Sequence, residues 1–123
     1  MGRYTLLVLT NAVADRDDEF NDWYDNQHIP DALEVPGYVA AQRFRLADVQ
    51  MAGAPGSRWR YLAIYEIETN DLNATMAESM SRAGTERMPQ SAAADHASSA
   101  IFAAIPIGPR ITAEEVRARR APR

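Results

Sequence analysis

One stretch of this chain alternates so regularly that it constrains everything around it. From Arg58 to Ile67, the residues Trp59, Tyr61, Ala63, Tyr65 and Ile67 share one face of an extended strand, and Arg58, Arg60, Leu62, Ile64 and Glu66 share the other. The first face is aromatic and the second is mixed. A sheet containing this strand needs cover on its aromatic side, and Leu62 and Ile64 ask for cover on the other.

The remaining elements can be placed around that strand. Tyr4 to Thr10 is a Leu-, Val-, Thr- and Tyr-rich run that reads as a buried strand. Asp15 or Asp17 supplies an N-cap for a helix running to about His28, where Pro30 forces a second short turn that ends before V-P-G at residues 35–37. Residues 38–49 form a long extended segment, and the turn at 51–57, with Gly53, Pro55 and Gly56, joins it to the alternating strand as a hairpin. Asn70 or Asp71 caps a second helix with apolar residues Leu72, Met76, Met80 and Ala83, ended by Gly84. Residues 85–98 read as a loop or short irregular helix and residues 99–107 as a fourth strand. T-A-E-E from Thr112 is a weak capping-box pattern, so the basic tail is either a short helix or disordered.

The order strand, helix, strand, strand, helix, strand predicts a ferredoxin-like α+β fold: an antiparallel sheet with both helices on one face. One such domain accounts for residues 1–111, leaving 112–123 as a basic C-terminal tail. The uncovered sheet face is apolar as well, and a second copy of the chain is the simplest cover, so a homodimer is expected.

Composition removes whole classes of chemistry. The 123 residues include no Cys and no Lys, two His (His28 and His96) and thirteen Arg. Thiol nucleophiles, disulfides, thiolate metal sites, lysine Schiff bases and the lysine of a phosphate-binding loop are therefore excluded. Net charge is −4, with eight acids against Arg16 alone between Asp15 and Glu34. That balance argues against nucleic acid, which needs a basic patch on an organised surface. The longest apolar stretches fall well short of the roughly 18 residues of a membrane span. The N-terminus leads into an acidic loop with no A-x-A cleavage site and reads as a first strand, making cytoplasmic the expected location. With no H-E-x-x-H or comparable spacing no metal site is expected, and no dinucleotide or nucleophile-elbow motif occurs.

The segment richest in chemistry is E-F-N-D-W-Y-D-N-Q-H-I-P-D, residues 19–31. At helical spacing Phe20, Trp23, Tyr24 and Gln27 face the sheet with His28 at the edge, while Asp18, Asp22 and Asn26 face away. A buried imidazole or amide must find a partner, so this is not a plain apolar core. His28, with an ordinary pKa of about 6.5, is either an acid or base in a cavity between helix and sheet or a residue favouring a helix C-terminus. Asp25 or Asp31 stands close enough in sequence to orient its ring, though Asp25 is placed on the solvated side. Tyr61 and Tyr65 are core, interface or pocket residues whose hydroxyls need partners if buried. Arg43 either points inward, where a guanidinium binds a carboxylate or enolate, or lies with Arg45 on a solvated strand edge. His96, in A-D-H-A-S-S, reads as a surface loop residue.

The run W-Y-D-N-Q-H-I-P-D-A-L-E-V-P-G-Y-V-A-A-Q-R-F, residues 23–44, followed by Y-L-A-I-Y-E-I at 61–67, resembles the EthD-like branch of the dimeric α+β barrel superfamily. The resemblance covers about half the chain and implies two ferredoxin-like units with sheets packed face to face, each with a pocket between its helices and its sheet. Related families include lactone isomerases, polyketide cyclases, cofactor-independent and haem-degrading oxygenases and hydroxynitrile lyases, and many relatives are accessory proteins of catabolic or biosynthetic pathways. Carried onto this sequence, the resemblance makes His28 the leading candidate, with Trp23, Tyr24, Tyr61 and Tyr65 as pocket lining. Taken with the reading of the residues themselves, the expected catalytic residues are His28, Tyr65 and Arg43, and the expected substrate-binding residues Trp23, Tyr24, Gln27, Tyr61 and Phe44. The function expected is a cofactor-independent isomerase, cyclase or lyase acting on a small aromatic, lactone or polyketide-like molecule. The alternatives are a monooxygenase, cofactor-free or haem-degrading, and a non-catalytic small-molecule binder.

Overall fold

The computed structural model describes residues 1–122. Strand β1 (Gly2–Thr10) leads to helix α1 (Asp17–Trp23), which continues through a π-helical turn (Tyr24–His28) into α2 (Ile29–Leu33). Strands β2 (Tyr38–Arg45) and β3 (Tyr61–Thr69) follow, then α3 (Leu72–Arg82), a 3₁₀ turn (His96–Ser98), β4 (Ala100–Ala104) and α4 (Ala113–Arg120). The strands form one antiparallel sheet in the order β2-β3-β1-β4. This is the ferredoxin-like arrangement, with β1 and β3 at the centre.

Pairing sorts the side chains into two faces, because directly opposed residues point the same way. Leu6 lies opposite Tyr65 and Val8 opposite Ala63. These residues and Ile67 are buried under Phe20, Tyr24 and Ala32, with Leu72 and Met76 of α3 packed against the same core. On the other face Leu7 lies opposite both Ile64 and Phe102, and Phe44 opposite Leu62. Phe44 and Phe102 remain 40% and 57% exposed there.

Several boundaries differ from the sequence reading for identifiable reasons. The hairpin arms are shorter at the loop end: β2 stops at Arg45 and β3 starts at Tyr61. Residues 58–60 are drawn off by other partners, since Asn11 bonds the Arg58 carbonyl (2.8 Å) and the Arg60 amide (2.9 Å), and Trp59 Nε1 donates to the Ser98 carbonyl (2.5 Å). β4 ends before Pro106, which has no N–H to donate. Neither Asp15 nor Asp17 caps α1; Arg16 holds the cap position without a side-chain bond, and Asp15 takes a left-handed φ of 65°.

In α3 the Asp71 side chain accepts from the Ala74 amide at 3.1 Å, as an N-cap should. The buried face includes Thr75 and Arg82, while Met80 is 79% exposed. Gly37, at φ +100°, brings the start of β2 so close that a Cβ there would lie 3.1 Å from Thr75 Cγ2. The segment from Thr112 is helical, with a complete capping box between Thr112 and Glu115 and Arg117, Arg119 and Arg120 at its C-terminal end. Among the described residues, no helix is long and apolar enough to cross a membrane.

Candidate active site: a histidine in an aromatic cavity

The π-turn decides where the chemistry goes. Its i→i+5 bonding places one more residue in the turn than an α-helix would, so side chains beyond Tyr24 are set back around the axis. Gln27, expected to face the sheet, is turned out to solvent, where it donates to Asp31 at 2.6 Å. His28, expected at the edge, is turned inward.

A cavity of about 220 Å³ lies between the helices and the sheet. Its buried lining includes Leu6, Val8, Phe20, Tyr24, Tyr38 and Tyr65, with Trp23 and His28 beside them. His28 stacks on Trp23, ring centroids 4.8 Å apart and planes 30° apart, and meets Tyr24 edge-on at 5.0 Å. Trp23 is fixed in turn, because its Nε1 donates to the Pro89 carbonyl at 3.0 Å.

Burial holds the His28 pKa down at about 4, with the positive side chain of Arg43 and the ring of His96 adding to the effect and the Asp31 carboxylate opposing it. His28 is therefore an uncharged imidazole at neutral pH. Its Nδ1 is sealed from solvent without a hydrogen-bond partner, so Nε2 is the nitrogen available to a ligand. With no bond pinning Nδ1, neither tautomer is imposed, and Nε2 can accept or donate.

Two phenols complete the floor. The Tyr65 hydroxyl donates to that of Tyr24 across 3.4 Å. Burial raises both pKa values, that of Tyr65 well beyond the ordinary phenol range, so both rings stay protonated. For Tyr24 the hydrogen bond from Tyr65 and the charge of Arg43 work against that rise. Tyr24 is thus the better placed of the two to donate onward to a negatively charged oxygen.

The other sequence candidates do not join this cavity. Arg43 points to the helix side of the sheet but lines a separate groove with Tyr61 and Phe44. Its guanidinium bonds Asp25 and Asn21, each at 2.9 Å, and lies 4.2 Å from the centroid of the Tyr24 ring. Asp25, placed by the helical spacing on the solvated side, is thereby paired with Arg43 and does not orient His28. Tyr61 donates to Asp17 at 2.5 Å, and Phe44 belongs to the outer sheet face.

Sequence reasoning set His96 aside, yet it lines the same cavity as His28, together with Asn11, Ser79, Gln90, Asp95 and Ser99. The segment carrying it is tied down by backbone bonds, Val13 to Ala93 at 2.7 Å and Asp95 to Asn11 at 3.0 Å. The D-H dipeptide before β4 was the available signal, but only the fold brings it over β1. Among the described residues, no three His, Asp or Glu side chains converge as a metal cluster.

No protein-family model and no curated protein sequence matches the chain. Solved structures that resemble it include HapK from Hahella chejuensis, at 18% identity and a TM-score of 0.51 over 89% of this chain and 98% of that one. An ethyl tert-butyl ether D (EthD) family protein from Bacillus halodurans C-125 aligns at 15% identity and a TM-score of 0.48, over 89% and 99%. By fold, the chain is therefore a ferredoxin-like α+β protein, as the order of its elements implies.

Proposed function

We propose that the chain is a cofactor-independent acid–base enzyme that isomerises, cyclises or cleaves a small aromatic, lactone or polyketide-like molecule, with His28 as its proton-transfer residue. The observation that carries this reading is an uncharged, partly buried imidazole sharing one cavity with a pair of protonated tyrosines. Nε2 of His28 takes a proton from the ligand, and the Tyr24 hydroxyl, backed by Tyr65, donates to the enolate oxygen that develops. A pKa of about 4 describes the cavity without such a charge; an enolate within a few ångströms favours the imidazolium and raises it. The same low value lets the proton return to the product once the enolate charge is gone.

Size supports a single substituted ring. An apolar cavity of roughly 150 Å³ already holds benzene, and this one is about 220 Å³. Four coplanar pyrroles need several times the space of one benzene, so haem does not fit the cavity and no step is assigned to it. Phe44 and Phe102 on the outer sheet face give the surface a second copy of the chain would cover, and a homodimer joined there is part of the proposal.

Turnover of a panel of phenols, lactones and cyclic ketones by the wild type and by His28→Ala tests the reading. Conversion by the wild type that falls by about a hundredfold or more in the variant is expected. Conversion that is unchanged in a folded variant removes His28 from the mechanism, and binding without conversion supports a carrier or accessory protein.

A further inference from the structure

The cavity's lining names the charge of its ligand. The floor is buried and largely apolar or aromatic, and the lining residues that reach solvent mix polar Gln90, His96 and Ser99 with apolar Met80, Ala83 and Ile101. Asp95 stands among them and is the one carboxylate in the lining. No arginine lines the cavity.

Nearby arginines stand outside the lining. Arg43 sits against the Tyr24 ring and is held by Asp25 and Asn21. Arg16 is paired with Glu19 at 2.7 Å, and Arg82 lies 3.7 Å from Glu78 with its buried Nε making no hydrogen bond. His28 is neutral. The helix over the cavity belongs to the acidic stretch between Asp15 and Glu34, which repels anions approaching from solvent.

We propose that this cavity selects an uncharged ring compound bearing a hydroxyl or carbonyl group and rejects the carboxylated or phosphorylated counterpart. An anion bound here would lose its hydration and meet no fixed positive charge in return. The inference rests on the cavity being a ligand site, as proposed above, but not on any reaction occurring there.

Benzyl alcohol and benzoate share one ring and differ in charge, and titrating each into the protein at pH 7.5 while following the Trp23 indole N–H by NMR tests the inference. Benzyl alcohol should bind at least about tenfold more tightly than benzoate. In Asp95→Asn the gap between the two should narrow by roughly three- to fivefold. Benzoate binding as tightly as the alcohol would overturn the charge selection while leaving the cavity as a ligand site. If neither moves the Trp23 signal, the cavity is not a site for small rings, and this inference and the proposed function fall together.

Discussion

The imidazole of His28 lies on the indole of Trp23, 4.8 Å between centroids, and the indole is itself anchored to the Pro89 carbonyl. The anchor reaches across the cavity from the α1 side to the segment after α3, so one side chain both orients the histidine and closes the site. Trp23→Ala should cost about 3–5 kcal/mol in urea unfolding, the usual range for truncating a large buried aromatic. Trp23→Phe keeps the stack but leaves the Pro89 carbonyl without its donor, at about 1–3 kcal/mol. Following the His28 Cε1 proton by NMR should show its pKa rising toward 6.5 in Trp23→Ala, as water reaches the ring.

Stability should depend on pH through the same residue. The folded chain holds His28 near a pKa of 4, whereas the unfolded chain titrates near 6.5, so between these values the unfolded state binds more protons. The contribution is present in full above about pH 6.5 and is lost as pH falls toward 4, amounting to roughly 3 kcal/mol. Denaturant unfolding across that window should lose much of its slope in His28→Gln.

Arg43 should behave as a structural residue. Its side chain is 13% exposed, bonds Asp25 and Asn21, and covers the Tyr24 ring. Arg43→Ala should cost about 1–3 kcal/mol, and Arg43→Lys should recover little because an ammonium cannot make the forked contact. Equal loss of stability and of ligand binding is expected; a loss of turnover with stability and binding intact would return Arg43 to the chemistry.

These assignments show how far the sequence could be read. Period-two alternation at residues 61–67 and the element order were enough for the sheet and both helices, because burying one face of a strand leaves only one register. The aromatic character of the site was also legible in Phe20, Trp23 and Tyr24. Two things were not. A uniform helical period could not anticipate the π-turn at Tyr24–His28, which exchanges the expected places of Gln27 and His28. Nor could local pattern bring His96 to a cavity whose floor comes from β1, α1 and β3, far away in the sequence, or show that Arg43 prefers Asp25 and Asn21 to the space beside His28.

The outer sheet face carries a prediction of its own. Phe44 and Phe102 sit on opposite edge strands of one apolar surface. If a second copy covers it, sedimentation should give a dimer, and Phe44→Asp with Phe102→Asp should shift the protein to monomer while the helix-side cavity stays folded. A wild type that sediments as a monomer at high micromolar concentration would contradict this.

The most direct test of the site is the ¹⁵N NMR spectrum of the His28 imidazole during titration with benzyl alcohol. A neutral ring at pH 7.5 whose Nε2 signal moves on binding is the predicted result. A charged ring, or saturable binding that leaves both His28 nitrogens unmoved, would contradict it.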